Sequence, residues 1–274
     1  MKTAIVGMDG KKGKEVSLPL QFSEDFRPDL IKKAVIVQQS HSIQAYGTAP
    51  MAGLRQSAFI TKRRKHYKTT YGRGQSRTPR KVLSRRGTNF YYVGAVAPNT
   101  VGGRVSHPPK AAKIWALKMN IQERRKAIRS AIAATMNPDI VKKRGHTAES
   151  FVVENKIEDF TKAKEVYTFL SKAGLEKELA RIAEKKIRAG KGKTRGRPYR
   201  KKKGPLIVVS KKCALMNAAA NLQGIDVCIV KDLNAEALAP GTDAGRLTLW
   251  SDKALEMMDK EKLFYTHTKK ETKK

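Results

Sequence analysis

The sequence predicts an α/β protein with a three-layer parallel sheet, flanking helices and, in addition, a long extended basic loop. The sheet is predicted from the second half of the chain, where short apolar runs rich in β-branched residues alternate with helical segments. Strands buried on both faces have this composition, and their alternation with helices is typical of parallel sheets. The loop is predicted because it lies within residues 30–122, a region that contains 18 Lys and Arg but no Asp or Glu. At the acidic density of the remaining chain, about twelve acidic residues would be expected there.

The first 46 residues contain two predicted strands and one predicted helix. Residues 4–6 and 15–20 are predicted to be strands joined by a turn at Asp9-Gly10, which is a hairpin signal. Pro28 is acceptable in the first turn of a helix, and apolar side chains then recur at helical spacing. They are Leu30, Ile31, Ala34 and Val35. This helix delivers the chain to Gly47, where the predicted loop begins.

Residues 47–107 form the predicted extended loop, in which Gly, Pro, Ser, Thr and Arg dominate. A loop of this length without hydrophobic periodicity is either disordered or functional. Aromatic residues lie among its charges: Phe59, Tyr67, Tyr71 and the run Phe90-Tyr91-Tyr92. If the loop runs out and back, each arm of about 30 residues spans at most roughly 100 Å. Because the loop buries little apolar area, we expect disorder without a partner.

Two helices are predicted after the loop. Pro108 and Pro109 break the chain, and a helix from about residue 110 would carry Ile114, Trp115, Leu117 and Met119. A second helix begins at Asn120, because Asn followed by Glu123 three residues later has the form of a capping box. The helix that precedes the loop and the helices that follow it bracket the loop and would anchor both of its ends on one body.

The rest of the chain supplies the predicted parallel sheet. The strands are residues 151–153, 206–209, 225–230 and 246–250, and the helices are residues 161–172, 176–189, 212–222 and 251–260. Gly174, Gly190 and Gly224 would close the first three helices, and Ser251 would cap the last. The predicted globular domain therefore comprises residues 1–46 and 108–265, and a basic tail follows at residues 266–274.

The net charge of +34 and the pI near 10.3 imply a permanent anionic partner. A membrane is disfavoured as that partner, because the sequence has neither a long apolar run nor a basic amphipathic helix with an aromatic face. The N-terminus is too short and too polar for a signal peptide. Cys213 and Cys228 form no zinc pattern, and a reduced intracellular setting is the simplest interpretation.

Catalytic and cofactor motifs are weak in this sequence. Residues 190–194 end like a phosphate loop, but the Gly required five positions before Gly192 is Ile187, and a helix precedes the segment. A GxGxxG motif fails because Arg195 replaces the third Gly. The five His residues have no metal-ligand spacing. We therefore predict no enzyme activity, no cofactor, no metal site and no small-molecule substrate.

A basic loop with interspersed aromatic residues is typical of an RNA-binding surface. Residues 191–203 add eight Lys and Arg without an acid, and are either a solvated charged loop or a second RNA contact, which we favour beside the acid-free region. The predicted RNA-binding residues are Arg55, Lys62, Arg63, Arg64, Lys65, Lys68, Arg73, Arg77, Arg80, Lys81, Arg85, Arg86, Arg104, His107, Lys110, Lys193, Arg195, Arg197, Arg200 and Lys201.

Two other function classes fit parts of the sequence. An RNA-modifying enzyme would combine a nucleotide-binding α/β domain with a substrate-gripping loop, but no predicted strand is followed by a cofactor loop. A histone-like DNA compactor would need neither the α/β domain nor an Arg-Gly-rich aromatic loop. Equal binding to duplex DNA and RNA would favour the compactor.

A set of motifs in order along nearly the whole chain resembles one family. The motifs are Arg27-Pro-Asp-Leu30, Tyr46-Gly47, Met51-Ala-Gly53, Arg55-Gln-Ser57, Tyr71-Gly-Arg-Gly74, Thr78-Pro-Arg80, Val101-Gly-Gly-Arg104, His107-Pro-Pro-Lys110, Ile128-Arg-Ser-Ala-Ile-Ala133 and Arg144-Gly-His146. They resemble the L-four family of large-subunit ribosomal proteins in its archaeal and eukaryotic branch. The chain lacks the long C-terminal extension of eukaryotic members, which favours the archaeal type.

The resemblance implies a structural, cytoplasmic constituent of the large ribosomal subunit that binds its rRNA and supports assembly. It implies contacts with neighbouring ribosomal proteins and an extended loop that lines part of the nascent-polypeptide exit tunnel. The tunnel-facing tip would comprise Gly72, Arg73, Gly74, Gln75, Ser76, Arg77 and Arg80, next to the passing polypeptide. Bacterial relatives also regulate their own operon, and the different loop sequence here leaves that role open.

Overall fold

The computed structural model describes residues 2–66, 69–87 and 89–265. The chain divides into two compact units, Met1–Ser42 with Ala116–Lys274, and Ile43–Trp115. We call them the α/β unit and the basic unit. Lys68, Tyr67 and the predicted tail at residues 266–274 lie outside the described residues.

The strands and helices are numbered along the chain. The strands are β1 Lys2–Val6, β2 Lys12–Ser17, β3 Arg80–Arg86, β4 Asn89–Gly94, β5 Phe151–Val153, β6 Lys185–Ile187, β7 Tyr199–Lys201, β8 Leu206–Val209, β9 Asp226–Ile229 and β10 Thr248–Ser251. The helices are α1 Pro28–His41, α2 Ile121–Thr135, α3 Pro138–Lys143, α4 Ala163–Lys172, α5 Glu176–Ala183, α6 Leu215–Ala220, α7 Ala235–Leu238 and α8 Asp252–Lys260.

A six-stranded sheet forms the centre of the α/β unit, in the order β2-β1-β5-β10-β8-β9. Strands β1, β5, β10, β8 and β9 are parallel, and β2 adds an antiparallel edge. The four predicted apolar runs are therefore strands, and the pair of strands near the N-terminus joins the same sheet. The prediction of an α/β fold with a parallel sheet is confirmed.

Helices cover both faces of the sheet, because successive side chains of a strand point to opposite sides. In β8, Leu206 and Val208 pack in one apolar cluster with α1, α2, α7 and α8, whereas Ile207 and Val209 pack in another with α4 and α6. All residues of β8 and β10 are buried. The central strands are therefore apolar throughout, as sequence analysis expects for a sheet covered on both faces.

The predicted helix from about residue 110 is wrong, since residues 110–120 have no helical structure. Tertiary contacts hold this segment in a non-helical conformation. Trp115 stacks on Tyr46 with ring centres 5.2 Å apart, and the Leu117 backbone N–H donates to Ser40 Oγ at 2.9 Å. These partners are distant in sequence, and local periodicity does not reveal them.

Helix α2 starts where predicted, but its predicted capping box does not form. The Asn120 side chain makes no cap hydrogen bond. Glu123 instead accepts a hydrogen bond from Lys33 Nζ at 2.7 Å, so it ties α2 to α1.

The helix predicted over residues 176–189 is also too long, since α5 ends at Ala183. After the buried Ile182, residues 183–187 are exposed, and a longer helix would bury no further apolar surface. Residues Lys185–Ile187 form β6 and pair antiparallel with β7 instead. The segment that was predicted to end a helix thus begins a basic hairpin.

The basic unit contains an antiparallel hairpin of β3 and β4 that was not predicted. Thr69, Thr70 and Ala95 are buried, and Phe59 forms an isolated bridge with Arg80. These residues form a small packed region within the basic unit, and the disorder expected of the free segment stays a prediction.

Candidate nucleic-acid interface

The basic unit is a strong local concentration of positive charge. Between residues 43 and 115 the chain has fifteen Lys and Arg and no Asp or Glu. Its cations therefore have no carboxylate within the unit to pair with. In the α/β unit, by contrast, many cations form ion pairs, such as Arg129 with Glu24 at 2.7 Å.

Most predicted RNA-binding residues of the basic unit are exposed. Arg80 and Lys81, at the start of β3, are half-buried, and Lys68 lies outside the described residues. The exposed residues are Arg55, Lys62, Arg63, Arg64, Lys65, Arg73, Arg77, Arg85, Arg86, Arg104, His107 and Lys110. Exposed cations without carboxylate partners form a surface suited to phosphate groups.

The segment of residues 71–80 forms a defined turn before β3. The Arg80 guanidinium donates to the carbonyl oxygens of Ser76 at 2.7 Å and Thr78 at 3.2 Å, and to Ser76 Oγ at 2.7 Å. Gly72 and Gly74 have φ of +74° and +63°, which glycine adopts without strain. Arg80 therefore closes the turn, and part of its hydrogen-bonding capacity is engaged within the protein.

Strand β4 supports the same turn. The Tyr92 hydroxyl donates to Gln75 Oε1 at 2.9 Å, which joins the strand to the middle of the turn. Gln75 was predicted from the family resemblance, whereas the role of Tyr92 in holding it requires the β3–β4 register.

Aromatic rings accompany several arginines of the basic unit. The guanidinium carbon of Arg77 lies 4.9 Å from the Tyr71 ring centre, and that of Arg80 lies 5.8 Å from the Tyr92 ring centre. The guanidinium carbon of Arg85 lies 5.3 Å from the Phe90 ring centre. These distances are in the range of cation–π attraction.

The second predicted RNA contact is the β6–β7 hairpin of the α/β unit, with the turn between its strands. Residues 185–203 contain eleven Lys and Arg and no acid. The predicted residues Lys193, Arg195, Arg197, Arg200 and Lys201 are all exposed. Lys185, Lys186 and Arg188 were not among the predicted RNA-binding residues, because residues 176–189 were predicted to be a helix. Arg188 steadies the turn by donating to the Arg197 carbonyl at 3.2 Å.

A buried cluster fixes the base of this hairpin. Arg181 makes a two-point contact with Glu178, at 2.6 and 2.9 Å, and its Nη2 also donates to the Lys203 carbonyl at 2.8 Å. His146 Nδ1 lies 2.7 Å from Glu178 Oε1. Burial alone would raise the pKa of Glu178, but hydrogen bonds from Arg181 and His146 lower it to about 2. Glu178 is therefore a carboxylate at neutral pH.

Arg246 is a structural cation and not part of the exposed basic surface. It is only 1 % exposed, and its guanidinium contacts Asp226 at 2.5 Å and the Gly204 carbonyl at 2.8 Å. Burial lowers the pKa of Arg246, and the charge of Asp226 opposes that effect. Its donors bind groups at the amino ends of β8 and β9 and the Ala237 carbonyl in α7.

The carboxyl ends of the parallel strands are the place where open α/β folds usually bind ligands, and here the protein's own side chains occupy it. Glu158 is 6 % exposed and accepts from the backbone N–H and the hydroxyl of Ser210, both at 2.8 Å. The Ser251 hydroxyl donates to the same carboxylate at 2.8 Å. These hydrogen bonds connect the ends of three parallel strands through the protein's own groups.

Other ligand classes find little support in the described residues. Residues 190–194 lie in the turn between antiparallel β6 and β7, whereas a phosphate loop joins a strand to a helix. Within residues 2–66, 69–87 and 89–265, no group of His, Cys, Asp or Glu has an arrangement that could hold a metal ion. No helix in these same ranges is long and apolar enough to cross a bilayer.

Comparisons with known proteins give a consistent result. A model of the Ribosomal protein L4/L1 family matches residues 16–261. The large ribosomal subunit protein uL4 of Nanoarchaeum equitans is 46 % identical over 268 residues, which cover 97 % of this chain and 100 % of the relative. The proteins of the same name from Methanococcoides burtonii and Archaeoglobus fulgidus are 47 % and 42 % identical, over 94 % of this chain and 98 % of each relative. The resemblance seen in the sequence motifs is confirmed, and the chain belongs to the Ribosomal protein L4/L1 family.

Proposed function

We propose that the protein is a structural, non-enzymatic constituent of the large ribosomal subunit in the cytoplasm, where it binds large-subunit rRNA and supports its assembly. The observation that carries this proposal is the basic unit, with fifteen cations, no carboxylate and mostly exposed Lys and Arg side chains. The names of the three archaeal relatives support the ribosomal location.

The physical basis of the binding is neutralisation of phosphate charge. Each Lys or Arg that contacts a phosphate releases condensed counterions, so the affinity falls with salt by a log–log slope of roughly 0.7 to 0.9 per contact. Neutralisation also lets RNA helices approach each other, which is how the protein would support assembly. The β6–β7 hairpin provides the second rRNA contact in this proposal.

We further propose that residues 47–107 extend from a globular domain of residues 1–46 and 108–265, penetrate the rRNA and line part of the polypeptide exit tunnel. The tunnel-facing tip comprises Gly72 to Arg77 and Arg80, and neighbouring ribosomal proteins lie beside the protein. The exposure of residues 72–77 supports this assignment, since a segment that contacts a passing polypeptide must be accessible.

The first test is sedimentation of the native protein in cell extract through a high-salt gradient, with and without ribonuclease. We expect the protein to travel with the large ribosomal subunit and to leave it only when the RNA is digested. A protein that stays at the top of the gradient without ribonuclease would contradict the ribosomal assignment.

The role of the basic unit is tested with charge variants that bind an rRNA transcript at several salt concentrations. The triple variant Arg63→Gln, Arg64→Gln, Arg86→Gln should reduce the salt slope by about 2 to 3. The matched control neutralises three exposed lysines of the α/β unit that pair with carboxylates: Lys142, Lys156 and Lys260. If both triple variants reduce the salt slope equally, the proposal that the basic unit provides the main phosphate contacts is contradicted.

The tunnel position is tested by cross-linking in ribosomes stalled during translation. A photoreactive residue in place of Ser76 should cross-link to the nascent polypeptide. The same residue in place of Thr194, which is exposed in the β6–β7 turn, is the control and should not. Cross-links from Thr194 alone would refute the placement of the tip.

A further inference from the structure

The two units differ in whether carboxylates help to hold their cations. Ring contacts occur in both: in the α/β unit, Arg129 lies 4.7 Å from the Tyr265 ring centre and Lys185 Nζ lies 5.1 Å from that of Tyr199. In the α/β unit, carboxylates hold arginines, as in the pairs Arg27–Asp29 and Arg129–Glu24, both at 2.7 Å. In the basic unit, three arginines of the predicted RNA-binding set lie within 6 Å of aromatic ring centres. Lys113 does the same, with Nζ 4.1 Å from the Trp115 ring centre.

The reason for the difference lies in what a carboxylate does to an RNA-binding surface. A carboxylate holds a guanidinium, but it cancels the positive charge and repels a phosphate in the same place. An aromatic ring attracts the cation through its quadrupole and carries no net charge. The full charge therefore remains for the phosphate, while the long Arg side chain is partly ordered before binding.

We propose that Tyr71, Tyr92 and Phe90 are positioning residues that help to hold Arg77, Arg80 and Arg85 ready for rRNA phosphates in a unit without carboxylates. Backbone carbonyl groups share this role for Arg80 and Arg85, which also donate hydrogen bonds to Ser76, Thr78 and Gly87. The inference rests on the proposed rRNA-binding function and assigns these rings a role within it. The rings are half-buried, which fits a side chain that is fixed on the protein and offers a face to a neighbouring cation.

The competing role for these rings is direct stacking on bases, a common use of aromatic residues in RNA binding. The two roles differ in how ring and arginine depend on each other. A positioning ring acts through its arginine, so removal of the arginine abolishes its effect. A base-stacking ring contributes independently of that arginine.

A double-mutant cycle separates these roles, with the full-length protein and an in vitro transcript of archaeal large-subunit rRNA. Tyr71→Leu should weaken binding about two- to fivefold with an unchanged salt slope, because Arg77 keeps its charge but loses its support. Arg77→Gln should reduce the slope by about 0.7 to 0.9. The double variant should bind like Arg77→Gln alone. If the fold-losses of affinity of the two single variants multiply in the double variant, the inference is overturned.

Two further variants test the charge argument. Tyr71→Phe keeps the ring and should bind like the unsubstituted protein. Tyr71→Glu offers Arg77 a carboxylate, and we expect the salt slope to fall by about one phosphate contact beyond that of Tyr71→Leu. Equal slopes for the Glu and Leu variants would contradict the idea that the ring's neutrality matters.

The cycle is repeated at Arg85 and Phe90, at the far end of the hairpin, so that misfolding of one variant does not decide the outcome. Far-UV circular dichroism identifies such a variant. If the unsubstituted protein fails to bind the transcript, the proposed function fails. If it binds and both cycles are additive, only the positioning role is refuted.

Discussion

Replacement of Glu178 by Gln tests whether the buried cluster beneath the basic hairpin stabilises the fold electrostatically. Glu178 is fully buried and holds Arg181 at two points and His146 at one. Gln has nearly the same shape but no charge, and it places an amide group against donors. The variant therefore isolates the carboxylate's charge from its volume.

The magnitude follows from the shift in the Glu178 pKa, from 4.5 to about 2. Each pKa unit corresponds to about 1.4 kcal/mol, so the ionised carboxylate contributes on the order of 3 kcal/mol to the free energy of unfolding. Because the folded state holds the lower pKa, this contribution is present above about pH 4.5 and is lost as the pH falls towards 2. The Glu178→Gln variant should lack this pH-dependent part of the free energy of unfolding.

The assay is urea denaturation of both proteins between neutral pH and about pH 3, in high salt to screen the self-repulsion of the +34 chain. The matched control is Glu176→Gln, because Glu176 lies in the same first turn of α5 but is exposed. It should lose under about 1 kcal/mol, from the helix dipole. The reasoning is refuted if both variants lose equally, or if the Glu178→Gln deficit persists unchanged at low pH.

Three further predictions concern the core, the basic unit and the cysteines. Trp250→Ala should lower the free energy of unfolding by about 3 to 5 kcal/mol, and Trp250→Phe by much less, because the buried Nε1 has no hydrogen-bond partner among the described residues; equal losses in urea denaturation would contradict this. Deletion of residues 60–90 should preserve the circular dichroism of the α/β unit, and global unfolding would show that the segment belongs to its core. Burial raises the pKa of Cys213, and it raises the pKa of Cys228 to about 11, so both thiols should alkylate slowly at neutral pH until urea is added. Rapid labelling of the folded protein would contradict that expectation.

The parallel sheet was predictable because its strands have a local signature. Strands β5, β8, β9 and β10 are short β-branched runs, and burial on both faces requires that composition. The course of residues 110–120 was not predictable, since it depends on Tyr46 and Ser40, about 70 residues earlier. The end of α5 was missed for a related reason. Lys185 and Lys186 have no strand signature, and only pairing with β7 makes them a strand.

The candidate interface was predictable in charge but not in geometry. The absence of acidic residues identifies the basic unit from sequence alone, and the exposure of its cations follows from the cost of burying them. The Glu178–Arg181–His146 cluster was not recognised, because His146 and Glu178 are 32 residues apart and meet only after folding. The pairing of arginines with aromatic rings likewise depends on the β3–β4 hairpin. Amino-acid composition does not specify the register in which these two strands pair.

The antiparallel strand β2 has a consequence for the time before the protein meets its partner. An open parallel sheet ends in a row of unpaired backbone groups, on which a second chain can add a strand and begin aggregation. Here β2 forms one edge and β9 the other, and the exposed residues of β2 include Lys12, Lys14 and Glu15. Charged side chains on a short edge strand disfavour its pairing with another chain. Newly made chains thus carry a built-in barrier against strand addition at the β2 edge.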